Sequence, residues 1–353
     1  MKICFFDDEP EIYPYQYGGK ARTITNLANE FIKRDDVEKV TILSRSINAN
    51  KNVFIKNDVL YISLDDTNTI QKIKEACDEY DIISIHCCSF TFPLIKSKAK
   101  KVYFLHDVLI ATAEKGSHLD KALGGVFDCV LAPSEYAKEI FDNNKKILGE
   151  ESNCKVISRH INKELFNEMS KEEILNDSNA PQVLKNVIKK YDKIVFFPSR
   201  PIEEKGGQYI INVAGELEKN NICIVGPFDN DNLPSNMINT DWIGSNDMKY
   251  YYSASAVTCN FSLLPESFSQ VCIESIYCGT PVVSFGSGNI KYLSKLTSAI
   301  FLCDKNNESI IESINKAIKY EEMSKEKEKI SNLFDKDKII DTYIETYKKL
   351  MEE

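Results

Sequence analysis

Short apolar runs rich in β-branched residues alternate with longer amphipathic segments along most of this chain, and this alternation restricts the possible folds. Near-continuous apolar strands separated by helices are typical of a parallel sheet that helices cover on both faces. The strand candidates of the first half are residues 2–6, 40–45, 81–87, 101–106, 127–133 and 154–158. Helix candidates between them include residues 21–34, 67–80 and 134–146. The first half therefore predicts a doubly wound α/β domain.

The same alternation starts again in the second half of the chain. Its strand candidates are residues 192–199, 221–227, 238–244, 255–262, 280–285 and 298–303, with helix candidates at 205–219, 246–254 and 268–278. A length of 353 residues suits two domains better than one core. We predict a Rossmann-like domain over residues 1–162, a second one over residues 163–333, and an amphipathic helix over residues 334–353.

Composition excludes several classes of protein. Hydrophobic residues make up 43% and charged residues 27% of the chain, which is typical of a soluble globular protein. A net charge of −9 argues against a general nucleic-acid binder. The first apolar run stops at Asp7, too early for a signal peptide, and no run is long enough to span a membrane. The 11 cysteines lack metal-ligand spacing, so free thiols in a reducing cytoplasm are expected.

The strongest chemical signal is a pair of glutamates separated by seven residues. Glu266 falls in the loop after a strand candidate, and Glu274 lies on the helix that follows. Phe268, Ser269 and Gln270 open this helix, so their N–H groups and the helix dipole can hold an anion. Carboxylates around such a helix end suit a ligand that joins hydroxyls to phosphates. The alternative is a helix cap at Glu266 and a solvated surface glutamate at Glu274.

A second signal follows the strand candidate at residues 192–199. Arg200 and Lys205 lie in its loop, and Gly206 and Gly207 open the next helix. An arginine fork and a lysine at this spacing can converge on a diphosphate. Lysine is abundant in this chain, whereas arginine is scarce, so Arg200 carries more weight. The arginines are Arg22, Arg34, Arg45, Arg159 and Arg200.

The first domain offers weaker candidates. Gly18 and Gly19 form a turn that lets backbone approach a ligand, although a plain tight turn explains them equally well and no dinucleotide fingerprint follows. His86 and His106 both end strand candidates; we interpret His86 as structural and favour a functional role for His106. Residues 7–9 are acidic, and we interpret them as a loop or helix cap rather than as metal ligands.

Together, Glu266, Glu274 and the following residues CGTPVV at 278–283 resemble the E-x7-E region of the retaining glycosyltransferases of family four, which have the GT-B fold. Arg200 with Lys205-Gly206 resembles the Arg and Lys-Gly element of the same family. The resemblance implies that a nucleotide-sugar donor binds in the cleft between two Rossmann-like domains, and that the last helix packs back on the first domain.

The resemblance also implies roles for individual residues. Arg200 and Lys205 would bind the donor's diphosphate, assisted by the amides of Phe268, Ser269 and Gln270. Glu266 would bind the hydroxyls of the sugar, and Glu274 would bind those of the ribose. In the first domain, His106 would contact the transferring sugar, and Gly18 and Gly19 would face the phosphates. The chain departs from the family at Arg159-His160, where Asn-Gly is usual, and at Ser287-Gly288-Asn289, where Gly-Gly is usual.

The implied activity is transfer of a hexose-type sugar, with retention, from a nucleoside diphosphate sugar to a hydroxyl of a glycan, lipid-linked or protein acceptor in polysaccharide biosynthesis. We expect UDP-sugar rather than GDP-sugar, and neither a metal nor a further cofactor. A basic segment at residues 97–101 suggests either weak contact with the inner face of a membrane or a solvated turn. Two alternatives stay open: a non-catalytic accessory subunit, which is expected to lack Glu266, Arg200 or Lys205, and an epimerase or phosphorylase of the same fold.

Overall fold

The computed structural model describes residues 1–7, 19–45, 53–64, 69–86, 98–108, 127–229 and 232–353. Within these ranges the strands, in chain order, are β1 (Lys2–Asp7), β2 (Lys39–Ser44), β3 (Val53–Lys56), β4 (Val59–Ser63), β5 (Ile82–Ile85), β6 (Lys100–Phe104), β7 (Cys129–Ala132), β8 (Cys154–Val156), β9 (Lys193–Phe196), β10 (Ile222–Gly226), β11 (Met237–Asn239), β12 (Val257–Asn260), β13 (Val282–Ser284) and β14 (Ile300–Leu302).

The helices of the described ranges are α1 (Gly19–Phe31), α2 (Thr69–Glu79), α3 (Glu135–Leu148), α4 (Lys171–Asn176), α5 (Gln182–Lys190), α6 (Gly207–Glu218), α7 (Met248–Ala254), α8 (Gln270–Tyr277), α9 (Ile290–Leu296), α10 (Asn307–Ile318), α11 (Met323–Leu333) and α12 (Lys336–Glu352). Contacts between residues divide the chain into two compact units. The first unit comprises Met1–His160 and Lys336–Glu353, and the second comprises Ile161–Asp335.

The first unit is built on an eight-stranded sheet with the order β3-β4-β2-β1-β5-β6-β7-β8. Every neighbouring pair is parallel except β3 and β4, which form an antiparallel hairpin at one edge. The last helix, α12, belongs to this unit, and its Tyr343 and Tyr347 rings meet Phe31 of α1 at centroid distances of 5.8 and 6.0 Å. Burial of these aromatic side chains fixes α12 against the layer of helices beside the sheet.

The second unit is built on a six-stranded, all-parallel sheet with the order β11-β10-β9-β12-β13-β14. Strands β9, β12 and β13 are neighbours, so the loops that follow them leave the same edge of the sheet. The prediction of two parallel-sheet, Rossmann-like α/β domains is confirmed. No helix among the described residues has the length and apolar character needed to cross a membrane.

Candidate functional site

The loop after β9 carries Arg200 and Lys205 and returns close to the end of β12. A short 3₁₀ turn, Glu203–Lys205, ends at Gly206, whose backbone is left-handed with φ +70°. A Cβ at Gly206 would lie 2.4 Å from the carbonyl oxygen of Phe261, so only glycine permits this approach. The Leu263 N–H also donates to the Glu204 carbonyl at 2.7 Å. These contacts hold the loops after β9 and β12 together.

Lys205 and Glu266 meet directly in this pair of loops. Lys205 Nζ lies 2.6 Å from Glu266 Oε1 and 3.5 Å from Ser262 Oγ. The Lys205 and Glu266 side chains are 27% and 21% exposed, so solvent reaches the ion pair. The structure thus brings together the residues predicted to bind the diphosphate and the sugar.

Arg200 lies in the same loop as Lys205 but is exposed. Its backbone carbonyl accepts a hydrogen bond from the Ile202 N–H at 2.8 Å. Its guanidinium forms no hydrogen bond or ion pair with any residue that the structure describes. Arg200 is therefore a cation without a protein counter-ion in the described ranges, beside a loop that carries an ion pair.

The loop after β13 fixes the backbone of Glu266. Gly288 forms a parallel bridge to Glu266, and the Asn289 N–H donates to the Glu266 carbonyl at 2.8 Å. Gly288 has φ +63°, and a Cβ there would lie 2.6 Å from both the N and the O of Glu266. The turn at residues 287–289, which departs from the usual Gly-Gly, keeps one glycine at the position where backbone contact requires it.

The N-terminal end of α8 is held by two asparagines. Ser269, its N-cap, is left-handed with φ +67°, and its Oγ accepts from Asn260 Nδ2 at 3.0 Å and donates to Cys272 Sγ at 3.1 Å. Asn289 Nδ2 donates to the Phe268 carbonyl at 2.8 Å. The predicted anion-binding segment is therefore anchored from β12 and from the loop after β13. Neither Asn260 nor Asn289 was predicted from the sequence; the available signal for Asn260 was an asparagine that ends a buried strand.

Glu274 is a buried side chain, not a solvated one. Glu274 is 4% exposed, and Tyr252 Oη donates to its Oε2 at 3.2 Å. Ser269 makes no side-chain cap bond to α8, and the Glu266 carboxylate pairs with Lys205. The alternative of a solvated Glu274 therefore fails, and the described contacts of the Glu266 carboxylate are those of an ion pair.

In the first unit, His106 belongs to a chain of polar side chains at the carboxyl ends of β5 and β6. Arg159 Nη2 lies 2.9 Å from His106 Nδ1, and His106 Nε2 lies 2.7 Å from His86 Nδ1. His86 Nε2 lies 2.8 Å from Ser84 Oγ, which Tyr347 Oη approaches at 3.4 Å. His86 is 2% exposed, in keeping with its interpretation as structural. We refer to these five residues as the Arg159–Tyr347 chain.

Burial and nearby cations keep both histidines of this chain uncharged. Burial, then the charges of Lys20 and Arg159, lower the pKa of His86 well below its usual value. Burial, followed by the electrostatic effects of Arg159, His86 and Lys20, also lowers the pKa of His106 well below its usual value. Arg159 stood out in the sequence only as a departure from the family, and its contact with His106 was not predicted; the scarcity of arginine was the available signal.

The remaining predictions for the first unit have mixed outcomes. Gly19 is exposed and begins α1, whereas Gly18 lies outside the described residues. Asp7 was interpreted as a loop or cap residue, and this is wrong. It ends β1 as a fully buried residue, and its Oδ1 lies 2.9 Å from Lys20 Nζ.

The described residues contain no cluster of three or more potential metal-ligating side chains. Nine cysteines of the described ranges are free and buried.

Comparisons with known proteins agree with this geometry. Residues 181–332 match the family model described as Glycosyl transferases group 1. None of the curated proteins searched matches the sequence. Among solved structures, sucrose-phosphate synthase from Thermosynechococcus elongatus superposes with a TM-score of 0.76 at 15% identity, over 99% of both chains.

Two further structures show the same similarity. Anabaena HepE in complex with UDP-glucose gives a TM-score of 0.75 at 18% identity, covering 99% of this chain and 100% of that one. A glycosyltransferase from Rickettsia africae gives 0.73 at 18% identity, covering 100% and 99%. At these identities the similarity establishes the fold. The second unit therefore carries the match to the Glycosyl transferases group 1 model, which supports a transferase, and the chain shares the GT-B fold of its structural neighbours.

Proposed function

We propose that the protein is a retaining glycosyltransferase that moves a hexose-type sugar from a UDP-sugar, in preference to a GDP-sugar, to a hydroxyl of a glycan, lipid-linked or other cell-envelope acceptor. The preference for UDP is supported by HepE, a structural neighbour solved with UDP-glucose. We also propose a cytoplasmic location, which is supported by the buried free thiols of the described residues.

The observation that carries this proposal is the ion pair of Lys205 and Glu266 inside the matched group 1 domain. A diphosphate carries more negative charge than one carboxylate, so it can replace Glu266 as the partner of Lys205. Glu266 is then available to accept hydrogen bonds from sugar hydroxyls. Arg200, exposed and without a described counter-ion, adds a second cation to the diphosphate.

The proposed reaction needs no protein base. The bond between the anomeric carbon and the phosphate oxygen breaks, and a bond between that carbon and the acceptor oxygen forms on the same face. The acceptor's proton passes to the leaving phosphate oxygen. Arg200 and Lys205 stabilise the negative charge that develops on the diphosphate, so neither a metal nor a further cofactor is assigned.

The other residues receive supporting roles. The amide N–H groups of Phe268, Ser269 and Gln270, at the N-terminal end of α8, help to bind the diphosphate. Asn260 and Asn289 anchor this end of the helix. Tyr252 holds the Glu274 carboxylate in one orientation, which suits hydrogen bonds from the two ribose hydroxyls. His106 contacts the transferring sugar. Gly18 and Gly19 are assigned to the donor phosphates by the family resemblance alone.

A panel of nucleotide sugars tests the function directly. Purified protein is mixed with UDP-, GDP- and ADP-sugars, and the melting temperature and the release of nucleoside diphosphate are measured. We expect a UDP-hexose to raise the melting temperature most, because a ligand that binds only the folded protein stabilises it. Retention is checked by the anomeric configuration of the product in its NMR spectrum. The proposal fails if no nucleotide sugar stabilises the protein or is turned over.

Arg200→Met tests the diphosphate contact. Loss of one charge-assisted hydrogen bond should weaken UDP binding about tenfold and reduce its salt dependence, with little change in melting temperature. Isothermal titration at two salt concentrations measures both effects. Lys219→Met, which removes an exposed lysine paired with Glu216 of α6, is the control and should bind UDP normally. Unchanged UDP affinity in Arg200→Met would remove Arg200 from the site.

A further inference from the structure

The Arg159–Tyr347 chain has only one consistent arrangement of protons. A guanidinium can only donate, so Arg159 Nη2 donates to His106 Nδ1, which must be an unprotonated acceptor. The neutral His106 ring then carries its proton on Nε2, and this N–H donates to His86 Nδ1. His86 in turn is protonated on Nε2 and donates to Ser84 Oγ. Both histidines are therefore neutral Nε2–H tautomers.

This arrangement leaves neither ring nitrogen of His106 to exchange a proton with a substrate. Its Nδ1 is occupied by Arg159 and its Nε2 by His86. Arg159 also lies over the Phe104 ring, 5.8 Å from its centroid, and is 8% exposed, so packing fixes the guanidinium. His86 is fixed by Ser84 at the other end. The His106 ring is held from two sides and can meet a sugar only through its carbon edge or its face.

We propose that Arg159 is a positioning residue that acts through His106, by keeping its imidazole neutral, protonated on Nε2 and fixed in one ring orientation. The inference rests on the proposed contact of His106 with the transferring sugar. It gives Arg159, at the position where the family usually has Asn-Gly, a function that the family pattern does not supply. His106 then shapes the sugar site and does not act as a general base.

Imidazole NMR tests the proton arrangement without any substrate. The chain has four histidines, so protein labelled with ¹⁵N-histidine gives eight ring-nitrogen signals, and His106→Gln identifies those of His106. At neutral pH we expect His106 and His86 both to carry a proton on Nε2 alone. In Arg159→Met, the His106 signals should shift toward a mixture of tautomers or a charged ring. A His106 protonated on Nδ1 in the parent protein, or unchanged His106 signals in Arg159→Met, overturns the proposal.

Kinetics with the donor found in the panel tests the consequence. We expect Arg159→Met to lower kcat about tenfold while the donor KM stays within about twofold, because the ring is misplaced but the diphosphate contacts remain. Arg159→Lys keeps a donor and should recover part of kcat. Arg34→Met, which removes an arginine paired with Asp341 in the same unit, should keep parental kcat. A KM increase with unchanged kcat would contradict positioning.

The two proposals fail separately. If no nucleotide sugar is turned over, the proposed function fails, yet the spectra of the parent protein still decide whether Arg159 fixes the tautomer. If Arg159→Met does not fold, the parent spectrum and Arg159→Lys carry the test. If turnover is normal and the His106 signals contradict the Nε2–H tautomer, only the role of Arg159 is lost.

Discussion

Lys205 and Glu266 in the second unit form a partly exposed ion pair, whereas His86 and His106 in the first unit use every ring nitrogen in hydrogen bonds. An ion pair that water reaches contributes about 0–1 kcal/mol to stability, so a ligand can take over one partner at small cost. Breaking the Arg159–Tyr347 chain leaves buried polar groups without partners, which destabilises the protein more than losing the ion pair does. The comparison suggests that the second unit exchanges partners with a ligand and the first unit holds a fixed shape.

The largest expected effect is that of Glu266→Ala on turnover. Removing the carboxylate that we assign to the sugar hydroxyls should lower kcat/KM about 10³-fold, a loss typical of a group that acts in the transition state. Stability should change by less than about 1 kcal/mol, because the lost ion pair is exposed. Glu204→Ala, in the neighbouring 3₁₀ turn, is the matched control and should keep parental kinetics. Full turnover in Glu266→Ala would refute the site and with it the comparison.

Gly288→Ala should produce the next largest effect, on folding. A left-handed alanine and a Cβ at 2.6 Å from the Glu266 backbone should together destabilise the second unit by about 3 kcal/mol. Gly286→Ala is the control in the same turn, because Gly286 has φ +70° but its Cβ would meet only the end of the Leu302 side chain at 3.3 Å. It should cost about 1 kcal/mol. Equal losses in urea denaturation would show that contact with Glu266 is not what requires Gly288.

The buried histidines of the Arg159–Tyr347 chain predict a pH dependence of stability. The pKa values of His86 and His106 in the folded protein lie well below the ordinary 6.5, so the unfolded protein binds more protons at low pH. The contribution of these histidines to the free energy of unfolding is therefore lost as the pH falls below about 6.5. Between pH 6.5 and 5.5 the two histidines should together cost about 2 kcal/mol. The measurement uses His160→Gln, because burial lowers the pKa of His160 to about 4 and adds to the slope. A flat profile in that variant would mean that His86 and His106 take up protons in the folded protein as they do in the unfolded one, so that their pKa values are not lowered.

The fold was largely accessible from the sequence because its signal is local. Buried parallel strands are continuous apolar runs, so each strand of the second sheet overlaps its predicted segment. The hairpin of β3 and β4 was missed although β3 begins with a short apolar run, because that run is mostly exposed and does not show the burial of the other strands. Its turn residues Asn57 and Asp58 have φ +51° and +62°, values that asparagine and aspartate tolerate. That dipeptide, between the apolar runs of the two strands, was the local clue to a hairpin.

The site was only partly accessible, for a physical reason. Charged residues that follow strands, such as Arg200 and Glu266, are conspicuous because a sheet edge gathers them. Arg159 and Asn260 act through contacts with residues 53 and nine positions away in sequence, which depend on strand order and register rather than on any local pattern. Such contacts cannot be deduced from spacing, so the anchors of the site emerged only from the structure.

The smallest expected effect tests whether side-chain hydrogen bonds hold the N-terminal end of α8 in the second unit. Ser269→Ala removes the bonds to Asn260 and Cys272 and keeps the left-handed backbone, so it should destabilise the protein by about 1–2 kcal/mol. Ser269→Gly removes the same bonds but adopts φ +67° without a Cβ penalty, so it should be about 1 kcal/mol more stable than Ser269→Ala. Urea denaturation of the pair measures the difference. If alanine and glycine are equal, the left-handed N-cap carries no strain. If both match serine, the Ser269 bonds do not anchor the N-terminal end of α8, and the Asn289 bond to the Phe268 carbonyl is the anchor that is left.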